Sequence, residues 1–215
     1  MRIIVAALIG IVASAATQPA FAATSVYTTL DFDKGCERVG DPPSQEDEDL
    51  GVLSLVCRGY KGYLVEYEQG DERTTVHYGA PFTTTVRAWE SFAAFNTAAG
   101  KVEWRLDDKG VPFAAIHRFS IASGEQDSPA IKAPISGQVL VVSRVGQPNE
   151  PSGCAVGLVD ALTNVDANEL ARKIADEQAL KFRCGKDKPV YYGKRSQKAS
   201  DFEIVIDGVT MRGSE

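Results

Sequence analysis

The chain has 215 residues, 44% of them hydrophobic, with 23 basic against 29 acidic side chains and a formal net charge of −6. This length suits one domain or two small ones, and the hydrophobic fraction is ordinary for a globular protein with a core. The acidic balance argues against nucleic acid and against an anionic membrane surface as partners, because both attract basic patches.

Residues 1–22 have the pattern of a signal peptide. A positive start at Arg2 precedes an apolar run over residues 3–16, and Ala20 and Ala22 form a small-x-small cleavage site. The run is shorter than the ~20 residues of a membrane span, which favours cleavage after Ala22 over an uncleaved anchor. Cleavage removes one of the 23 basic residues and leaves 22 against 29 acidic ones. We therefore expect a periplasmic or secreted protein with no membrane span after cleavage.

Four cysteines, Cys36, Cys57, Cys154 and Cys184, follow the predicted leader. An even number in an exported chain indicates two disulfides, and three pairings are possible. Cys36–Cys57 with Cys154–Cys184 is favoured, because each pair flanks a compact stretch of sequence. A redox site would need a Cys-x-x-Cys pattern, and the spacings match no zinc motif. We expect no metal and no cofactor.

The first half of the mature chain is predicted to consist of strands and loops. β-Branched and aromatic residues predict strands at residues 25–32, 51–57, 63–68 and 73–78, the last two forming a hairpin. Residues 40–49 contain two prolines and four consecutive acids, which predicts an exposed loop. A solvated acidic loop is favoured over a calcium site, because the acids lack the alternating ligand pattern of a calcium loop.

Residues 95–121 give the clearest prediction, a β-hairpin at the centre of the fold. Apolar and charged side chains alternate over residues 101–106, so one face of the first strand is apolar and the other is charged. Residues 107–110 end in a glycine that can adopt a positive φ, as a tight turn requires.

The segments that flank this hairpin give weaker patterns. A short strand is predicted at residues 82–86, and aromatic residues at helical spacing predict a short helix within residues 87–99. Apolar runs predict strands at residues 138–145, 154–158 and 202–206, the first of them buried on both faces.

Residues 166–182 predict an amphipathic helix. Asp166 and Glu169 have the spacing of a capping box. Small and apolar side chains mark the face that is expected to pack on the sheet, and Arg172 and Asp176 lie on the opposite, charged face.

Motifs for catalysis are absent from the sequence: it has no G-x-S-x-G elbow, no phosphate loop and no H-E-x-x-H pattern. His77 and His117 fall on different predicted hairpins and could converge across a sheet. A small periplasmic hydrolase that uses His77 or His117 with a nearby carboxylate therefore remains an alternative. The candidate binding residues are charged or polar side chains on the outer faces of the hairpins: Arg58, Arg73, Glu103, Arg105, His117 and Arg118.

The chain resembles a group of uncharacterised exported proteins of Gram-negative bacteria. The segments that carry the resemblance are residues 27–31 with Cys36, residues 57–60, 70–73 and 77–79, residues 103–105 and 116–118, and residues 167–175 with Cys184 and Gly185. The resemblance implies export, and it implies no substrate and no catalytic residues.

Together these patterns predict an α+β fold. We expect an antiparallel twisted sheet or partly open barrel, with one C-terminal amphipathic helix packed on it and two disulfides. Residues 23–215 are expected to form a single β-rich domain, with possible sub-units at 23–80 and 81–215. The predicted function is that of a non-catalytic binding or interaction module of the cell envelope, with a small ligand or an envelope protein as partner.

Overall fold

A computed structural model describes residues 23–40, 42, 44–49, 51–81, 88–122, 135–150, 153–206 and 209–212. The predicted signal peptide and the predicted strand at residues 82–86 lie outside them. The strands are, in chain order, β1 (Thr24–Thr29), β2 (Cys36–Arg38), β3 (Leu53–Arg58), β4 (Leu64–Gly70), β5 (Arg73–Gly79), β6 (Trp89–Phe92), β7 (Asn96–Leu106), β8 (Pro112–Ala122), β9 (Ile135–Arg144), β10 (Cys154–Asp160), β11 (Val190–Tyr191), β12 (Phe202–Ile206) and β13 (Val209–Arg212). The α-helices are α1 (Gln45–Asp49) and α2 (Ala167–Gln178).

These strands form three sheets rather than the single sheet that the sequence predicts. The central sheet has the order β1-β7-β8-β9-β10-β11, the second β2-β3-β4-β5, and the third β13-β12-β6. All pairs are antiparallel except β10 with β11. Within the described ranges none of the sheets closes into a barrel, so the predicted α+β class is confirmed in its open form.

The central sheet is covered on both faces. On one face, α2 packs its buried side chains Ala171, Ile174 and Ala175 against β8, β9 and β10. Gly157 on β10 permits this contact, because a Cβ there would lie 3.0 Å from the Ile174 side chain and 2.8 Å from the Tyr192 ring. On the other face, Trp104 and other buried side chains meet the two smaller sheets. Burial on both faces explains the nearly continuous apolar run of β9.

Both disulfides form with the favoured pairing. Cys36–Cys57 links β2 to β3, whose backbones are paired at those two residues. Cys154–Cys184 ties the start of β10 to the segment that follows α2. Each bond therefore fastens a short or terminal element to a strand of a larger sheet.

The predicted helix within residues 87–99 is wrong. Trp89–Phe92 is instead strand β6, which pairs with β12 near the C-terminus. Trp89 and Phe92 are three residues apart, and this spacing occurs in short strands as well as in helices. The pairing of β6 with the distant strand β12 makes this segment a strand and not a helix.

Helix α2 differs from its prediction in detail, and α1 lies where the sequence predicts a loop. Helix α2 ends at Gln178, and Asp166 makes no side-chain capping bond, so the predicted capping box is wrong. The predicted acidic loop contains α1, which is capped reciprocally by Ser44 and Asp47: each backbone N–H donates to the other side chain. Among the described residues, no helix is long and apolar enough to cross a membrane.

Candidate binding cleft

A cleft lies between α2 and the helix-facing side of strands β1, β7 and β8, with a volume of about 300 Å³. Tyr27 comes from β1, Lys101 and Glu103 from β7, and Arg118 from β8, so three neighbouring strands supply four of its charged and aromatic side chains. Asn168 and Arg172 come from α2, one turn apart, and therefore face the same side. Ala99, Ile116 and Leu140 complete the lining.

Glu103 and Arg172 form an ion pair within the cleft. The Arg172 Nε donates to Glu103 Oε1 at 2.6 Å, and its Nη2 donates to the Tyr27 hydroxyl at 3.1 Å. Burial raises the pKa of Glu103, but hydrogen bonds from Arg172 and from the Ser25 hydroxyl outweigh it and hold that pKa below its ordinary value. The hydrogen bond to Glu103 raises the pKa of Arg172. Both groups are therefore ionised, and their charges offset each other.

Lys101 and Arg118 leave the cleft with an excess of positive charge. The Lys101 Nζ lies 4.8 Å from the centroid of the Tyr27 ring, a cation–π contact with a side chain that is 49% exposed. Arg118 donates to two neutral amide oxygens, Gln138 Oε1 at 3.1 Å and Asn168 Oδ1 at 3.2 Å. Within the described part of the chain, no carboxylate forms an ion pair with either cation.

Arg105 lies next to the cleft and fastens α2 to the central sheet. Its guanidinium binds the Asp176 carboxylate through Nε at 2.9 Å and Nη2 at 2.6 Å, a bidentate arrangement. It also donates to the Ser25 hydroxyl and to the Ala23 carbonyl. Arg105 is 7% exposed, so this candidate residue is structural: it fixes the helix from which Arg172 reaches the cleft.

The other three candidates lie elsewhere. Arg58 lines a separate groove of about 540 Å³ on the four-stranded sheet, and Arg73 forms an ion pair with Asp71 at 3.1 Å. His117 is 1% exposed and its ring contacts Tyr78, so it faces the core and not the helix. Of the six candidates, the cleft therefore brings together Glu103 and Arg118, with Arg105 beside them.

The other histidine, His77, meets a buried carboxyl where the three sheets join. His77 Nε2 on β5 lies 3.9 Å from Glu90 Oε2 on β6, and the same oxygen accepts the Ala155 backbone N–H of β10 at 2.7 Å. Burial raises the pKa of Glu90 to about 8, partly opposed by the Ala155 N–H. Glu90 also lines an internal cavity of about 10 Å³, room for one water molecule at most.

Sequence reasoning missed four of the six polar and aromatic lining residues: Tyr27, Lys101, Asn168 and Arg172. The alternation of β7 already places Lys101 on the face of Glu103 and Arg105, which was a usable signal. The polar face of α2 carried no comparable signal, because a helix that packs on a sheet can turn part of that face toward the neighbouring strands.

Among the described residues no cluster of potential metal ligands occurs. Comparisons with protein-family models, with curated protein sequences and with solved structures found no match to this chain.

Proposed function

We propose that this chain is an exported, non-catalytic binding module that holds a small anionic ligand in the cleft. The observation that carries the proposal is that Lys101 and Arg118 line one cleft and are balanced there by no described carboxylate. This local excess is opposite in sign to the net charge of −6. A carboxylate or phosphate group would accept charge-assisted hydrogen bonds from both side chains. Such hydrogen bonds are about twice as strong as those between neutral groups.

The size and lining of the cleft limit the ligand to a small molecule. Its volume of about 300 Å³ is at the lower end of the range for small-molecule sites. Ile116 and Leu140 supply apolar surface, and the Tyr27 ring supplies a flat wall. A short organic acid or a small phosphorylated compound fits this combination of apolar walls and cations.

Export is the second part of the proposal. The leader pattern of residues 1–22 and the resemblance to exported proteins of Gram-negative bacteria both favour it. The two disulfides support an oxidising compartment, either the periplasm or the outside of the cell. The ligand would then be a small anion that the chain meets in that compartment.

Binding is favoured over hydrolysis by the positions of the histidines. His77 and His117 are 9% and 1% exposed, and neither lines the cleft. The side chain of Tyr27 is the one hydroxyl among the described lining residues, and it lies beside the ionised pair of Glu103 and Arg172 rather than beside a histidine base. The described lining residues therefore include cations that favour an anion, and they include no paired nucleophile and histidine base.

Isothermal titration calorimetry of the mature protein tests this proposal with succinate, inorganic phosphate and uncharged succinamide. We expect at least one anion to bind and succinamide not to bind, and the preferred anion identifies the ligand group as carboxylate or phosphate. Lys101→Met and Arg118→Met should each raise the Kd about tenfold, because each removes a charged hydrogen-bond donor.

Arg58→Met is the matched control, because it removes an exposed arginine that lies outside the cleft. Its Kd should equal that of the wild type. Absence of binding by both anions, or an equal loss of affinity in the Arg58 variant, would contradict the proposal.

A further inference from the structure

Strand β7 contains an irregularity at the cleft. Ala98 is paired with Phe119 and Val102 with His117, so three residues of β7 lie opposite the single residue Arg118. The two extra residues form a bulge, which interrupts the ladder and changes the directions of the side chains next to it. Ala99 and Lys101, at the two ends of this bulge, both line the cleft.

The carbonyl groups of the bulge find partners outside the β7–β8 ladder. The Gly100 carbonyl accepts the backbone N–H of Leu30 at 2.6 Å, and the Ala99 carbonyl accepts a hydrogen bond from the ring Nε2 of His117. His117 is the residue paired with Val102, so its ring binds the bulge from the core side of the same sheet. A side chain thus replaces a hydrogen bond that the bulge removes from the ladder.

The hydrogen bonds of His117 define its tautomer. A carbonyl oxygen can only accept, so Nε2 must carry the hydrogen that binds Ala99. Nδ1 is then an acceptor, and the Tyr78 hydroxyl, 2.6 Å away, donates to it. Burial of the imidazole lowers the pKa of His117 to about 4, which keeps the ring neutral at pH 7. Tyr78, His117 and Ala99 therefore form one directed chain that runs from β5 to the rim of the cleft.

We infer that His117 is a positioning residue of the cleft, which holds the β7 bulge through Ala99 and thereby places the Lys101 ammonium group where a bound anion meets it. This inference rests on the proposed function, because it specifies how the anion site is shaped. It accounts for a polar side chain in the core at a position where a phenylalanine could fill similar space. A phenylalanine there would leave the Ala99 carbonyl and the Tyr78 hydroxyl without these hydrogen bonds.

A double-mutant cycle separates positioning from general support of the fold. His117→Phe, Lys101→Met and the double variant are titrated with succinate or phosphate, whichever the wild type binds more tightly. We expect His117→Phe to raise the Kd about fivefold in the wild-type background and less than twofold when Lys101 is already methionine, because its effect passes through that side chain. An equal factor in both backgrounds overturns the inference.

Two further variants serve as controls for the cycle. Val65→Ala removes a fully buried side chain of the four-stranded sheet, so it should lower stability and leave the Kd unchanged. Tyr78→Phe keeps the core filled and removes the hydroxyl that binds Nδ1, so it should raise the Kd in the same direction as His117→Phe but by a smaller factor. This milder change keeps the test usable if His117→Phe does not fold.

Amide hydrogen exchange tests the hold on the bulge without any ligand. The Leu30 N–H binds the Gly100 carbonyl, so it reports directly on the bulge. Tyr78→Phe and His117→Phe should accelerate exchange at Leu30 relative to the Val102 amide, whereas Val65→Ala should not. If the wild type binds no anion, the proposed function fails while this readout still tests the role of His117. Unchanged protection of Leu30 in both variants overturns the inference.

Discussion

The buried carboxyl of Glu90 should make the protein less stable at alkaline pH, and Glu90→Gln should remove that dependence. Its pKa is raised from 4.5 to about 8 because the group is buried, 7% exposed, where β5, β6 and β10 meet. Between these two pH values the unfolded chain has released the proton while the folded chain still binds it. The free energy of unfolding therefore decreases as pH rises through this window. The stabilising contribution of the protonated carboxyl is fully present below the window.

The magnitude follows from the size of the shift. One pKa unit corresponds to 1.36 kcal/mol, so a shift of this size costs about 5 kcal/mol of unfolding free energy at pH 8 and above. Glutamine has nearly the same shape, does not titrate, and offers an oxygen to the Ala155 N–H. The variant should match the wild type at pH 4 and exceed its stability by several kcal/mol at pH 8.5.

Urea denaturation from pH 4 to 8.5, monitored by tryptophan fluorescence, measures this difference. Two titratable residues of β5 lie near Glu90: His77, 3.9 Å away, and Tyr78, which lines the same cavity. The Ala155 N–H of β10 donates to the carboxyl, and Ser143 of β9 also lines the cavity. Glu103→Gln is the matched control. It should lower the free energy of unfolding at pH 8.5, opposite to Glu90→Gln, because Arg172 and Ser25 stabilise the ionised Glu103 carboxylate. A Glu90→Gln variant that is less stable than the wild type at pH 8.5 would refute the reasoning, since Glu90 would then be an ionised partner of His77.

Three further changes probe other parts of the fold. In the Glu90→Gln background, the free energy of unfolding should decrease by about 3 kcal/mol as pH falls from 6.5 to 4, because burial lowers the pKa of His117 to about 4. In urea titrations, His117→Phe should abolish this pH dependence. Replacing Cys154 and Cys184 together with alanine opens a bond with a sequence separation of 30 and should cost about 4 kcal/mol, read from the denaturation midpoint. Ile174→Asp places an unpaired charge under α2 and should lower the melting temperature sharply; a melting temperature equal to that of the wild type would contradict the assigned helix face.

The central hairpin and the disulfides could be predicted because their signals are local. In β7, alternation alone separates the core-facing Trp104 from Glu103 and Arg105, and the glycine at the end of the turn adopts φ 74° at Gly110. The cysteine pairing followed from sequence spacing, and each pair joins elements that are close in the fold. These features depend on few long-range contacts.

The division into three sheets could not be predicted, because it depends on contacts between distant segments. Strand β6 has only four residues, and its partner β12 lies near the C-terminus. The spacing of its aromatic residues is compatible with a helix. The hydrogen bonds of its buried polar residues Glu90 and Ser91 to Ala155 and Thr74 form only once the sheets assemble.

The candidate site was predictable in part. Glu103 and Arg118 were identified from the polar faces of the hairpins, and they do meet in the cleft. His117 belongs to the core face, together with Phe119 and Ile121, and this alternation was visible in β8. The periodicity of α2 places Arg172 on the face opposite the sheet, but Arg172 reaches Glu103, because the helix lies across β7 as well as across β8 and β9.

Chemical-shift mapping of the ¹⁵N-labelled mature protein tests the central claim most directly. Titration with succinate or phosphate should shift resonances of Lys101, Arg118 and Asn168 along one saturable curve, and leave Arg58 and Arg73 unchanged. Arg118→Met should shift that curve to about tenfold higher anion concentration. Shifts confined to the four-stranded sheet, or shifts that grow linearly without saturation at the cleft, would contradict the account.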